Sequence, residues 1–527
     1  MPQIINTNIP SLNAQRHLNA SQNALSTALE RLSSGKRINN AKDDAAGLAI
    51  TSRMSTQING MNQAIRNARD GISLGQTAEG ALSTSVDMLQ SIRTMAVQSS
   101  NATNASIDRH ALQNVVNDLS AELNRIAMTT QFNGQNLLDG TMGAQNFQVG
   151  ANAGDLITSN GMNFKTSVYG THRVHGDAAF AKLADADKTF GAKATDFSAQ
   201  TITINGPLGT DKVSTTAPVD GGNRGSSAQD LAAEINRVSG ETGVTATSRT
   251  EAFITHAANM QYTFYLASEN ANAEKVTISY KIGNTNGGTS ADDLAQAINA
   301  FNAQSAKTGV SAEYFVSTTG TAGIKLTNAT GSDIMIANTG DDTNAQMGDA
   351  TLHTFMANGV LNGTTVALDR QDVDDGPTTA QVKGVVIFDS NASFSLVSTG
   401  DADNAFAVSD GAPAATLSGG SILRSVASID ITTFSKAQLA IAIVDQAINT
   451  INKEMARYGA LQARFDATIQ NLEVNAENTT NAKARIMDAD FAQETANLSR
   501  ATILQQAGIA MLAQANQMPQ NVLSLIR

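Results

Sequence analysis

The stretch Ala501-Thr-Ile-Leu-Gln-Gln-Ala-Gly-Ile-Ala-Met-Leu-Ala-Gln-Ala-Asn-Gln-Met-Pro-Gln-Asn-Val-Leu-Ser-Leu-Ile-Arg527 carries no charge between Arg500 and Arg527. Ile503, Leu504, Ile509, Met511, Leu512, Val522, Leu523, Leu525 and Ile526 recur along it, separated by Gln and Asn. That is too polar for a bilayer span and too apolar for a solvated tail. Burying those side chains yields roughly 1.5–3 kcal/mol each. Ordering the backbone costs about 1–2 kcal/mol per residue. The segment therefore needs a partner surface in order to fold.

The other end of the chain supplies one. Met1 to Gln15 is also free of charged side chains and carries Ile4, Ile5, Ile9 and Leu12. Leu18, Leu25 and Leu32 follow at seven-residue spacing, with Ala14 and Ala28 on the flanking row. This is a coiled-coil seam. Phe491, Leu498, Gln505 and Leu512 keep the same spacing near the C-terminus. The two ends are expected to pair with each other and with copies of themselves.

Composition narrows the function classes. The 527 residues suffice for three or four domains. Aromatics are 4% and Trp is absent, so aromatic-anchored cores are not expected. The chain has no Cys, hence no disulfide, thiolate metal site or Cys nucleophile. A net charge of −12 argues against nucleic acid and anionic membrane as partners. Met1 to Gln15 lacks the basic and apolar regions of a secretory signal, and no transmembrane run is present. Residue physics alone reads the protein as cytoplasmic.

Along the chain, residues 1–34 read as a helix stopped by Ser33, Ser34 and Gly35. A connector with Arg31, Lys36, Arg37, Lys42, Asp43 and Asp44 follows. Leu48 to Ser99 reads as a rod-like helix, with Ile58, Met61, Ile65, Ala68, Ile72, Leu82, Val86 and Leu89 at helical spacing. Leu112, Val115, Leu119, Leu123 and Ile126 form a returning helix. Asn133-Gly134 is a turn dipeptide. Leu137-Leu138 and Phe147 to Val149 read as short strands around Asp139-Gly140. From about Val168 to Ser418 helical periodicity fades and strands appear at Thr201–Ile204, Tyr262–Leu266, Val276–Tyr280 and Val385–Phe388. Ser226-Ser-Ala-Gln-Asp-Leu-Ala-Ala-Glu-Ile-Asn236 repeats as Thr289-Ser-Ala-Asp-Asp-Leu-Ala-Gln-Ala-Ile-Asn299, with Asp230 and Asp293 63 positions apart. Each copy runs on to Thr-Gly-Val, at Thr242 and Thr308, and reads as a short helix followed by strands. A second apolar stripe from Leu439 through Ile451, Tyr458 and Phe465 to Leu472 is the natural partner of the Leu48–Ser99 helix.

The expected fold is a mostly α rod made from both chain ends: a coiled coil plus a helical shaft with a short β-hairpin. β-rich or α+β outer domains are inserted in the middle. The expected divisions are residues 1–44 with 485–527, 45–175 with 425–484, and 176–424. The two repeats would occupy about 200–282 and 283–338.

Catalytic and metal chemistry is poorly supported. His172 and His175 form an isolated H-x-x-H without further ligands at matched spacing. Asp341-Asp342 and Asp372 to Asp375 read as solvated loops. No H-E-x-x-H, P-loop or G-x-S-x-G occurs. No cofactor and no enzymatic activity are expected.

The chain resembles bacterial flagellins over roughly residues 1–150 and 430–527. Ile4-Asn-Thr-Asn-Ile-Pro-Ser-Leu-Asn-Ala-Gln15, the connector 31–50, Thr130-Gln-Phe-Asn-Gly-Gln-Asn-Leu-Leu-Asp-Gly140 and Ala515-Asn-Gln-Met-Pro-Gln-Asn-Val-Leu-Ser-Leu-Ile-Arg527 carry the resemblance. It implies a subunit of the flagellar filament, exported without a cleaved signal peptide and located outside the cell. Its termini would be disordered as a monomer and fold into a tube lining on assembly. Implied partners are further copies, flagellar cap and junction proteins, and an export chaperone on the C-terminal helices. The strand pair between Gln131 and Gly150 would switch the filament's helical form. A hook–filament junction protein, or an adhesin or antigen role for the middle, are the alternatives. The stretch Leu89 to Gln98 matches the face read by the vertebrate Toll-like receptor for flagellin at Arg93, Ala96, Val97 and Gln98. Ser91, Thr94 and Met95 stand where stimulating members carry Arg, Glu and Leu, so weak receptor binding is expected.

Overall fold

The computed structural model describes residues 7–101, 103–175, 190, 199–216, 225–284, 287–317, 320–340, 346–355, 361–370, 379–399 and 416–526. Helix α1 (Ile9–Ser34) starts where the Asn8 side chain accepts from Ser11 N, and it ends at Gly35 with φ +67°. Helix α2 (Ala45–Ser99) starts on Asp44, whose carboxylate accepts from Gly47 N at 2.7 Å. Its 55 residues make a rod about 82 Å long. Helix α3 (Ser106–Thr129) returns along it, burying Val116, Leu123 and Ala127. Val115, expected on that stripe, is 46% exposed, and its neighbour Val116 takes the inward position.

Two hairpins follow. Strands β1 (Gln131–Phe132) and β2 (Gln135–Asn136) flank a two-residue turn. Asn133 and Gly134 both have positive φ there, as a primed turn requires. Leu137 and Leu138 are therefore not a strand, because the tight turn uses the residues directly beside it. They are buried in the shaft core instead. Strands β3 (Ala144–Gln148) and β4 (Leu156–Asn160) form the second hairpin. It lies on α2, where Asn67 Nδ2 donates to the Gln148 carbonyl at 2.9 Å.

The middle is a nest of insertions. Strand β5 (Gly170–His175) leaves the shaft. A hairpin of β6 (Thr201–Asn205) and β7 (Thr210–Ser214) precedes helix α4 (Ala228–Arg237), the short helix α5 (Ser239–Thr242) and the long strand β8 (Thr245–Thr255). The order then repeats. A hairpin of β9 (Gln261–Ala267) and β10 (Val276–Lys281) precedes α6 (Ala291–Asn302), the short α7 (Ser305–Thr308) and β11 (Val310–Val316). Strands β12 (Ala322–Asn328), β13 (Ile334–Asn338), β14 (Ala350–Phe355), β15 (Leu361–Leu368) and β16 (Thr379–Val382) follow. Strand β17 (Val385–Ser390) returns to pair with β8, then come β18 (Ser395–Thr399), β19 (Thr416–Gly420) and β20 (Ile422–Ser425). The second unit is thus inserted between β8 and β17 of the first. By element order its hairpin opens at Gln261, ahead of the repeat boundary expected near residue 283.

The two units share their joints. Ser227 and Ser290 cap α4 and α6 by accepting from Asp230 N and Asp293 N. The hairpin tips dock alike, with Leu208 N donating to Thr242 O at 3.4 Å and Glu269 N to Thr308 O at 3.2 Å. The helix α4 has 10 residues and α6 has 12. The sequence repeat therefore slips along the helix, and Asn302, not Asn299, plays the part of Asn236. Asn236 clamps both backbone groups of Ala246 at 2.8 Å, and Asn302 clamps Ala312 at 2.7 and 2.9 Å.

The sheets run β19-β18-β6-β7, β10-β9-β13-β16 and β11-β12-β8-β17-β5-β20, with β14 also on β8 and β15 on β14. Strands β5 and β20 are the neck to the shaft. There Arg173 grips Asp389 through two contacts of 2.7 Å, and Thr171 Oγ1 donates to the same carboxylate at 3.0 Å. Gly170 lets the neck strands touch: a Cβ on it would lie 2.2 Å from the Arg424 carbonyl.

Helix α8 (Phe434–Met487) starts on the Thr433 cap and runs antiparallel to α2. Arg93–Asp445 at 2.6 Å, Gln462–Glu79 at 2.8 Å and Arg69–Glu473 at 3.2 Å mark the crossing order. Phe465 enters the gap at Gly71, where a Cβ would lie 2.6 Å from its ring, and meets Phe147 of β3 edge-on at 5.4 Å. Helix α9 (Phe491–Ile526) ends the chain and packs on α1.

Candidate assembly surface

Helices α1 and α9 run antiparallel. Asn8 Nδ2 donates to the Ala515 carbonyl at 2.9 Å, Ser11 Oγ meets Asn516 at 2.8 Å, and Arg31 faces Glu494 at 3.9 Å. Leu18, Leu25, Leu32 and Ala14 are half-buried and Ala28 is buried. On α9, Leu498, Gln505 and Leu512 are half-buried, while Phe491 is 59% exposed. The tighter row lies three residues on, at Glu494, Ala501, Gly508 and Ala515. Hydrophobicity does not reveal this row, because its members are small or charged. Their size brings the helices together: a Cβ on Gly508 would lie 3.3 Å from Leu18 Cδ1.

Eight further large apolar side chains are left exposed beside this seam. Ile9, Leu12, Leu29, Phe491, Ile503, Leu504, Ile509 and Met511 are each about half exposed or more. Covering them would release roughly 1.5–3 kcal/mol apiece. The pair therefore presents an apolar outer surface on two long helices. Ile4 and Ile5 lie outside the described residues. Val522, Leu523 and Leu525 lie on α9, but their side chains are not described.

Both strands of the chain break at one level between this pair and the shaft. Arg37 N donates to the Met487 carbonyl at 2.7 Å and Ala489 N to the Gly35 carbonyl at 3.0 Å. Lys36 sits opposite Asp488 in that short bridge. The Arg37 guanidinium caps the C-terminal end of α8 at the Ile486 carbonyl, 2.6 and 3.2 Å away. Asp43 accepts from the Asn40 and Asn39 backbone N–H groups, which hold its carboxyl below the usual range. Asp44 caps α2, and Ile38, which the sequence reading passed over, is buried beneath the turn. The connector residues are thus assigned to joints and caps.

Of the receptor-face residues, Arg93 is tied to Asp445, Gln98 is exposed and Met95 packs half-buried on the shaft core. His172 lies on β5 with its pKa lowered by burial. The His175 side chain lies outside those described, as do Asp341-Asp342 and Asp372 to Asp375. Among the described residues no group of three His, Asp or Glu is placed to hold a metal. Nor is any helix among them long and apolar enough to cross a membrane.

The model of the bacterial flagellin N-terminal helical region matches residues 5–142, and that of the C-terminal helical region matches residues 441–526. The flagellin hook IN motif matches residues 201–255, the span from β6 to β8. The B-type flagellin of Pseudomonas aeruginosa is 40% identical over 541 residues, covering 100% of both chains. A flagellin of Salmonella typhimurium is 33% identical over 544 residues, again covering 100% of both. Among solved structures, FliC of Burkholderia pseudomallei aligns with 75% of this chain and 99% of its own, at 18% identity and a TM-score of 0.28. The flagellar hook associated protein-3 of Legionella pneumophila aligns with 82% and 98%, at 12% identity and a TM-score of 0.33. Scores that low add no argument to the family matches.

Proposed function

The chain belongs to the bacterial flagellin family, and we propose that it is the structural subunit of an extracellular flagellar filament, built by self-assembly and used as a propeller. The observation that carries this is the α1–α9 pair, which leaves Ile9, Leu12, Leu29, Phe491, Ile503, Leu504, Ile509 and Met511 exposed beside its seam. Copies of the same pair are the partners that cover them. A heterologous contact repeated without closure gives a helical filament.

In this reading the terminal core comprises 1–44 and 485–527 and orders fully only on assembly. The shaft comprises 45–175 and 425–484, and residues 176–424 face solvent. Assembly residues are Ile4, Ile5, Ile9, Leu12, Leu18, Leu25, Leu32, Phe491, Leu498, Leu512, Val522, Leu523 and Leu525. Export proceeds without a cleaved signal, with a chaperone on the C-terminal helices and with cap and junction proteins at the growing end. Toll-like receptor binding at Arg93, Met95 and Gln98 is weak, because Arg93 is held by Asp445 and Met95 packs inward.

Seeded sedimentation tests the reading. Subunits with and without residues 501–527 are mixed with short filament fragments and the pellets viewed by negative-stain microscopy. The full chain should elongate the seeds and the truncated chain should stay soluble. A full chain that caps seeds without elongating them would make a junction protein the better reading. Removing residues 176–420 should leave elongation intact.

A further inference from the structure

Met511 stands out on the assembly surface. It is 66% exposed, against 51% for Met128 and 39% for Met162. It lines a groove of about 610 Å³ between α1 and α9, together with Ala14, His17, Leu504, Ala507 and Gly508. The chain has 16 Met and no Cys. An oxidant that reaches the subunit therefore meets thioethers and no thiol. Ala14, Ala20, Ala24, Leu504, Ala507 and Gly508 make most of the groove wall, with Asn13, His17 and Ser21 as its polar members.

We propose that Met511 is an oxidative modification site, and that its conversion to the sulfoxide by a peroxide prevents the subunit from joining a filament. The proposal rests on the assembly reading above. In the reaction a sulfur lone pair attacks one peroxide oxygen. The S–O bond forms as the O–O bond breaks, and the second oxygen leaves as water after taking the proton from the first. Sulfur loses two electrons and the peroxide gains them, so no further reactant is needed. The product replaces an apolar, adaptable side chain with a strong hydrogen-bond acceptor. Covering that acceptor with the apolar face of a neighbouring copy strips its water, which opposes association. Once assembled, the same neighbour shields the sulfur. The modification therefore acts on the free subunit and spares the finished filament, and a sulfoxide reductase reverses it.

The test uses the full chain and its Met511→Leu variant, a swap of similar volume that peroxide does not attack. Subunits are treated with hydrogen peroxide, sulfoxides are located by peptide masses raised by about 16 Da, and elongation is measured on untreated seeds. Untreated wild-type subunits must elongate; if they do not, the assembly reading itself fails. Given that they do, oxidised wild-type subunits should need a concentration about tenfold higher to elongate. Sulfoxide reductase should restore them. The oxidised variant, still modified at Met128 and Met162, should elongate like its untreated form. Normal elongation by wild-type subunits fully converted at Met511 would overturn the proposal. So would equal inhibition of the oxidised variant.

Discussion

The terminal pair α1–α9 and the shaft pair α2–α8 are built to one plan and differ in where their large side chains point. Both pair a helix from the start of the chain with one from its end, antiparallel, and both break at the Gly35–Arg37 and Met487–Ala489 bridge. In the shaft, Leu74, Leu82, Leu89, Ile92, Ile443, Ile451 and Phe465 face inward, and α3 and the β3–β4 hairpin close over them. In the terminal pair, Ala28, Ala501 and Ala515 are buried while Ile503, Leu504 and Met511 stand in solvent. The same helical period thus makes a self-sufficient rod in one case and a surface that needs copies in the other. What separates them is the size of the residues on the facing row.

The sharpest way to break this contrast is a pair of truncations. Phe465→Ala should destabilise the shaft by about 3–5 kcal/mol, seen as a large fall in the thermal midpoint of the monomer. Leu18→Ala should leave that midpoint almost unchanged and reduce seeded elongation. A monomer equally destabilised by both would mean that the terminal pair is as self-supporting as the shaft.

Acid should separate the outer units from both helical pairs. His256 is buried among Tyr262, Phe264 and Tyr280, and burial pushes its pKa down to about 3 from 6.5. Its folded pKa lies below the unfolded value, so the unfolded chain binds the extra proton. Stability is then complete above about pH 6.5 and falls as pH drops toward 3, by about 3 kcal/mol at pH 4.5. Urea midpoints followed by tyrosine fluorescence should show this loss, and His256→Gln should flatten the slope.

Two glycines sharpen the comparison further. Gly71→Ala places a methyl against the Phe465 ring and should cost about 1–3 kcal/mol. Gly508→Ala meets the Leu18 side-chain end at 3.3 Å as its one tight contact, with Leu18 Cβ and Cα at ordinary distances of 3.8 and 3.9 Å. Gained helix propensity, about 1 kcal/mol, should leave the monomer unharmed there. Asp44→Ala removes the cap of α2 and should lower the shaft midpoint by the equivalent of about 1 kcal/mol. Thermal melts measure all three.

The sequence made the long helices legible because their apolar positions recur at helical spacing over about nine turns. Asn133-Gly134 was legible as a turn for its backbone chemistry. Three features were not. The facing row of α9 is written in Glu494, Ala501, Gly508 and Ala515, which no apolar pattern marks. The role of Asn302 was hidden because α6 is longer than α4, so equal spacing paired the wrong asparagines. The neck ion pair of Arg173 and Asp389 joins residues distant in the chain, and only the register of β5 on β17 brings them together.

Hydrogen exchange resolved along the chain, on monomer and on filament, tests the central contrast most directly. The account predicts fast exchange in the monomer for 9–34 and 491–526, slow exchange in the filament, and slow exchange in both states for the buried stretches of α2 and α8. Terminal helices protected in the monomer as strongly as the shaft would contradict it, since a pair already stable alone would not need its copies.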